Sequence, residues 1–358
     1  MKLLYLAFVR LPTEKAHGVQ IMKTCEALAH EGVTVELVIP GRETAIKEDP
    51  FVYYDVQRNF VLTALNTPDW VRWGTVGFRL SALFFSEAAK WQKNFWNADI
   101  VYSRDAFVLL QYVLLDRKLV YEAHTAPTFV STLVAKQAYK LIVISEGLRD
   151  AYVTRGVDPA KIVVAHDAVD PTPFQKKFNQ EEERDWLGIP RGKKVALYVG
   201  KIDAAKGADT FAAASEHVST NILCVLVGSG PDKLRLQEQF PKALFVPETP
   251  YRELPRVLAS ADVLVLPNSA RDDNAAIFTS PLKAFAYLAS GKPILASDVP
   301  ALRVVVPQAH FFKADDSRAL ATALAQTASS PHPSAVTFMT WNARAKIIHS
   351  GFEKYVPS

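Results

Sequence analysis

At 358 residues, with 49% hydrophobic and 22% charged residues, the chain is long and apolar enough to fill two cores. A formal net charge of +4 permits an anionic partner but lacks the concentrated basic stripe of a nucleic-acid protein, so no nucleic-acid partner is expected. No apolar run reaches membrane-span length and no signal-peptide pattern precedes the first strand; the expectation is a soluble cytoplasmic protein. The two cysteines, Cys25 and Cys224, each lie in an apolar pattern and read as small buried hydrophobes rather than a disulfide or a metal pair.

In chain order, Leu3–Val9 reads as a buried parallel strand. A helix follows with Ile21, Cys25, Leu28 and Ala29 on one face; Gly32 ends it, and Val33–Ile39 is the next strand. Strand, loop, helix, strand is the signature of a doubly wound α/β domain, whose ligands sit at the carboxyl ends of the strands. Gly18, at the start of the helix, would let a ligand approach the first loop closely. The GxGxxG fingerprint is absent, which disfavours a nicotinamide enzyme.

Residues 68–96 differ in texture, with four of the six tryptophans interleaved with Arg72, Arg79, Lys90 and Lys93. Such a segment suits a membrane interface or a large acceptor, and equally suits aromatic core filling around two helices. Strands are then expected at Asp99–Tyr102, leading into Ser103-Arg104-Asp105, and at Leu119–Glu122, leading into Ala123-His124-Thr125. A lone His at a strand end is by itself more often structural than catalytic. Leu141–Ile144 follows, and Pro171, Pro173 and the charged run Lys176–Asp185 read as an interdomain linker.

The second half opens with a strand ending at Gly200, followed by Lys201, then Lys206-Gly207 before an Ala-rich helix. Two lysines past a strand end and near a helix N-terminus suit a pyrophosphate, although a solvated loop would look the same. A further strand ends in Gly228-Ser229-Gly230; Ala243–Val246 and Ala261–Pro267 are strands, the last leading into the polar loop Asn268–Asn274. In Phe278–Asp298, FTSPLKAFAYLASGKPILASD, Ser280 suits an N-cap and Pro281 the first helical position. Leu282, Phe285 and Ala289 form an apolar stripe, Gly291 stops the helix, and Ile294–Ala296 reads as a strand. Lys283 stands one turn inside a helix N-terminus, a place that favours a phosphate. From Thr340 to Tyr355, Trp341, Ile347 and Phe352 mark a terminal amphipathic helix.

The segment SPLKAFAYLASGKPILASD resembles the donor-binding segment of the group 1 family of retaining glycosyltransferases, which have the two-domain GT-B fold. AHGVQIMKTCEALAHEGVTVELV resembles that family's first βα unit, VYEAHTAP the segment whose His lies beside the transferred sugar, YVGKIDAAKG its G-R-x-x-x-x-K-G motif, and the stretch ending GSGP its V-G-x-G-P turn. The pattern is broken in one place. The family's E-x7-E carboxylates would fall at Phe278 and Ala286, and the missing second Glu puts ribose binding and full activity in question.

The resemblance implies two Rossmann-like doubly wound domains facing a central cleft. Residues 1–173 would form the acceptor-side domain, 190–336 the nucleotide-sugar domain, and 337–358 a helix packing back on the first. It further implies His124, Lys201 and Lys206 in catalytic roles, and Gly18, Gly200, Gly228, Gly230, Ser280, Pro281, Leu282, Lys283 and Ala286 around the donor. The expected reaction is metal-independent, front-face transfer of a hexosyl group from a nucleotide diphosphate sugar, without a cofactor. Domain closure would exclude water, and the acceptor would be a glycan, a lipid-linked molecule or a small molecule in polysaccharide or glycolipid biosynthesis. Rival readings are a sugar-nucleotide-binding protein with weak or no transferase activity and a sugar-nucleotide 2-epimerase. Contact through residues 68–96 would put the protein at the inner face of the membrane.

Overall fold

The computed structural model describes residues 1–327 and 337–353. The chain divides into two units, Met1–Asp167 together with the segment that begins at Trp341, and Ala168–Thr340. The second unit thus begins ahead of the run expected to be a linker.

Seven parallel strands carry the first unit: β1 (Lys2–Leu6), β2 (Thr34–Pro40), β3 (Val61–Leu65), β4 (Ile100–Ser103), β5 (Leu119–Ala123), β6 (Lys140–Val143) and β7 (Ile162–Val164). Their spatial order is β3-β2-β1-β4-β5-β6-β7. Every residue of β4, β5 and β6 is buried, as is all of β1 after Lys2, which explains their near-continuous apolar runs: the parallel sheet is covered on both faces. Connections leave β1 in one direction along the sheet and return on its other side at β4, in register Tyr5 to Tyr102. That reversal opens a crevice at the carboxyl ends of β1 and β4.

Helix α1 (Ala16–His30) buries Ile21, Met22, Cys25 and Leu28. Helix α2 (Gly74–Lys90) resolves the ambiguous aromatic segment by splitting it. Ala82, Phe85 and Ala89 face inward, and Phe95 beyond the helix is fully buried, whereas Trp73, Phe84, Trp91 and Trp96 are exposed. Helix α3 (Phe129–Gln137) starts with a reciprocal capping box between Thr128 and Ser131.

The second unit holds six parallel strands: β8 (Lys194–Val199), β9 (Ile222–Val227), β10 (Leu244–Val246), β11 (Val263–Leu266), β12 (Ile294–Ser297) and β13 (His310–Phe312), in order β10-β9-β8-β11-β12-β13. Here the reversal lies between β8 and β11. The charged run read as a linker contains helix α4 (Gln180–Trp186), and its Arg184 is buried: the guanidinium donates to the Ser260 carbonyl and pairs with Asp262 at 2.8 Å. A run of charges reads as solvated unless its charges find partners, and here Arg184 and Glu183 find them partly at a distance, in Asp262 and Arg256, beside the local Glu181. Helix α5 (Ala208–Ala214) follows Gly207, and helix α6 (Leu282–Ser290) closes at Gly291, whose φ of 67° is the left-handed stop expected of it. The start of α6 differs from expectation. Pro281, not Ser280, occupies the cap position, and no side chain caps the helix there.

Helix α7 (Trp341–Glu353) returns to the first unit and packs on α1. The expected end of this helix, Tyr355, and the expected domain limit at residue 336 lie outside the described residues. Arg344 anchors α7: it donates to Thr24 on α1 at 3.0 Å, to Glu122 on β5 at 2.5 Å and to the His166 carbonyl at 3.0 Å. Both cysteines are free and buried.

Candidate functional site

In the second unit, glycines shape the loops at the carboxyl ends of β8 and β9. A Cβ on Gly228 would lie 2.0 Å from the Gly200 carbonyl oxygen, and one on Gly230 would lie 2.2 Å from that of Ile202, so only glycine lets the two loops pack backbone to backbone. Gly207 is equally confined, with 1.7 Å to the Pro267 carbonyl oxygen. Asp203 folds the turn between them by accepting from the Lys206 backbone N–H at 2.9 Å.

The cations in this region are not equivalent. Lys201 is 64% exposed and already paired with Asp203 at 2.7 Å. Lys283, in the first turn of α6, runs beside Gly200 and places its ammonium 4.0 Å from the centre of the Tyr198 ring. Its Nζ is buried with no hydrogen-bond partner. Burial, reinforced by Lys206, pushes its proton affinity well below the ordinary lysine value. A buried lysine amine without a hydrogen-bond partner, at a helix N-terminus whose first N–H groups lack intrahelical acceptors, is a site organised for an anion that would hold its proton. Tyr287 fixes the other end of the helix to the sheet by accepting from the Val199 N–H at 2.9 Å.

Ser280 is buried, while Pro281 and Leu282 are half-buried at the entry to α6. Ala286 is 2% exposed and belongs to the apolar cluster that contains Val169, Leu266 and Phe285. The position expected among the donor-binding residues is thus packed against apolar side chains of the same unit. Ala fits because it is small and apolar.

In the first unit, Gly18 is explained by packing. A Cβ there would come 2.1 Å from the Tyr54 hydroxyl oxygen, which occupies the space the sequence reading left for a ligand. That hydroxyl accepts from the Thr13 N–H and donates to the Thr13 carbonyl, clamping the loop after β1.

His124 follows β5, 16% exposed, with Nε2 2.8 Å from Glu122 Oε1. Glu122 is fully buried and also accepts from Gln20, Tyr102 and Arg344. Although burial opposes its charge, Arg344 and His124 hold the carboxyl well below the usual range. Burial, then Arg104, pushes His124 down to about 4, so the imidazole is neutral at pH 7. A neutral ring facing a carboxylate carries its proton on Nε2, which leaves Nδ1 as the acceptor. His124 is therefore oriented rather than mobile. Arg104 completes the chain by donating to Gln20 Oε1 at 2.6 Å.

Sequence reasoning missed this network. Gln20, Tyr102, Glu122 and Arg344 come from four separate segments, and only Arg104 and Glu122 carried a signal, as polar residues at strand ends. Among the described residues, no group of three or more His, Cys, Asp or Glu is placed to hold a metal ion.

The family model described as "Glycosyl transferases group 1" matches residues 193–330, and that described as "Glycosyltransferase Family 4" matches residues 17–172. The D-inositol 3-phosphate glycosyltransferase of Mycobacterium tuberculosis (strain ATCC 25618 / H37Rv) is 28% identical over 184 residues, a region spanning 48% of this chain and 37% of that relative. Among solved structures, Anabaena HepE in complex with UDP and glucose superposes with a TM-score of 0.77 at 13% identity, covering 99% of this chain and 100% of that one. Sucrose-phosphate synthase from Thermosynechococcus elongatus gives 0.74 at 18% identity, with 99% and 94% covered. At such identities the likeness shows the fold, which is GT-B.

Proposed function

We infer that this chain, which belongs to the group 1, family 4 glycosyltransferases, moves a hexosyl group from a nucleotide diphosphate sugar to an acceptor hydroxyl with retention of configuration. The observation that carries the reading is the buried, unpartnered Lys283 ammonium at the start of α6, beside Lys206 and the packed glycine loops. A donor diphosphate supplies the missing partner. A fold neighbour solved with UDP-glucose supports the same class of donor.

Bond cleavage releases a nucleoside diphosphate whose oxygens gain negative charge, and preorganised cations with helix N–H groups stabilise that charge without reorganising. Lys283 and Lys206 take this part, and Lys201, held by Asp203, contributes less. In a front-face course the acceptor oxygen attacks the anomeric carbon on the side the phosphate leaves, and the acceptor proton passes to the departing phosphate oxygen. No second carboxylate and no metal is required in that course. His124, neutral and held by Glu122, offers a hydrogen-bond acceptor to a hydroxyl of the transferred sugar.

A second reading, a sugar-nucleotide-binding protein without turnover, draws on Ala286: the position is buried and lacks the carboxylate that the family's E-x7-E motif would place there. We assign residues 68–96, in addition, to peripheral contact with an anionic bilayer. Trp73, Val76, Leu80, Leu83 and Phe84 are exposed and recur at helical spacing on the outside of α2, with Arg72 and Arg79 exposed beside them.

The reading is tested by incubating the protein with a panel of UDP-, GDP- and ADP-sugars and following the anomeric proton by NMR. Transfer gives a product with the donor's anomeric configuration. Inverted product would overturn the mechanism, and binding of a nucleotide sugar without consumption would favour the second reading.

A further inference from the structure

A cavity of about 890 Å³ opens at the carboxyl ends of β1, β4 and β5, on the reversal of the first sheet, and all its lining comes from the first unit. Its polar lining is one-sided. Arg10, Lys15, Arg42, Arg79 and Arg104 face it, against the carboxylates of Asp69 and Asp105. Asp105 is occupied below, where it caps the helix Ala106–Leu110 by accepting from the N–H groups of Phe107 and Val108. Arg104 is held by Gln20.

Arg42 is the decisive residue. Its side chain is 9% exposed and its guanidinium lies 4.1 Å from the centre of the Phe8 ring. Asp69, half exposed, forms an ion pair with it, 3.5 Å from Nε, but Nε and one terminal nitrogen are buried without a hydrogen-bond partner. Burying guanidinium donors unsatisfied is costly, and a planar anion or phosphate is the ligand that fits their fork. The rest of the wall mixes polar groups, His17, Thr13, Thr125, Thr128 and Ser131, with an aromatic patch: Phe8 and Phe78 meet edge to face at 5.2 Å, with Phe107 beside them.

We propose that this cavity binds the acceptor through an anionic group, a phosphate or a carboxylate held by Arg42 and Arg79, with the body of the acceptor against the Phe8 and Phe78 rings. The substrate class is thus an anionic acceptor rather than a neutral glycan. The proposal rests on reading the first unit as the acceptor side.

Calorimetric titration of the full chain at low ionic strength tests it, using inorganic phosphate and, separately, acetate, each with saturating UDP present to occupy the donor site. Phosphate is expected to bind in the presence of UDP, and Arg42→Gln and Arg79→Gln should each weaken it about ten-fold, the loss of one charge-assisted contact. Arg79 is exposed, so its variant tests the site even if Arg42→Gln perturbs folding. Acetate binding as tightly as phosphate would identify a carboxylate acceptor, and weaker acetate a phosphorylated one. Absence of binding by both anions, or affinity unchanged in both variants, overturns the proposal. Failure of UDP itself to bind would instead strike the glycosyltransferase reading, while Arg-dependent phosphate binding would still uphold this site.

Discussion

Lys283 and Ala286 lie one turn apart on α6, and burial gives them opposite meanings. A buried ammonium without a partner costs free energy in the empty protein, which a bound anion returns. A buried alanine in an apolar cluster costs nothing, and its replacement by a carboxylate does. Ala286→Glu is expected to destabilise the second unit by several kcal/mol, the penalty for an unpaired buried charge, with no gain in donor affinity. Chemical denaturation together with nucleotide-sugar titration checks this. Unchanged stability with tighter donor binding would show that the position opens to the ligand. The sequence alone could place a residue at 286 on a helix in the donor segment, but not bury it, because the apolar stripe read through Leu282, Phe285 and Ala289 does not show that Ala284 to Leu288 are all covered. The same limit applied to Gly18. A glycine before a helix signals close approach, and nothing local reveals that the approaching atom is the Tyr54 hydroxyl.

Among the elements, the central strands were legible because a parallel sheet covered on both faces demands near-continuous apolar runs, as in β9; the partly buried β3, β7 and β13 lack such runs and were not. Helix α4 was not, since its polarity is satisfied by Ser260, Ala261 and Asp262, which the sequence holds far away. Helix α2 lies between these cases: its composition was unusual on inspection, but the division into an inner face at Phe85 and an outer stripe at Trp73, Val76, Leu80 and Leu83 required the fold. That outer stripe leads to a definite expectation. The protein should co-sediment with vesicles containing anionic lipid at low salt and be released at high salt. Paired substitutions Trp73→Ser and Leu83→Ser should reduce binding several-fold without lowering the melting temperature, since both side chains are exposed. Binding unaffected by these changes would remove α2 from the contact. Among the described residues no helix is long and apolar enough to cross a membrane, so the contact expected is at the surface.

For the whole molecule, the buried charge network of the first unit sets the response to acid. His17 and His124 are both pushed to about 4 by burial, so between pH 6.5 and 4 the unfolded chain takes up protons that the folded protein does not. Stability therefore falls as the pH is lowered through that window. His166, also lowered by burial, adds to the fall. Asp167, raised to about 7 by burial, and Asp105, raised likewise, act in the opposite sense and moderate it. Urea unfolding at pH 6.5 and pH 4.5 should give a lower midpoint at the acid pH, and His124→Gln should lessen the difference. A midpoint that rises on acidification would contradict the assignment.

In the proposed reaction the second unit binds the diphosphate of its donor through Lys283. The most direct test of this is one calorimetric comparison of UDP binding by the wild-type protein, Lys283→Met and Lys201→Met. Lys283→Met should weaken UDP by about 1.5–3 kcal/mol, the worth of a charge-assisted hydrogen bond in a buried site, and Lys201→Met by no more than about 1 kcal/mol, because that lysine is exposed and already paired. Equal affinity in all three proteins, with UDP bound tightly by each, would contradict it.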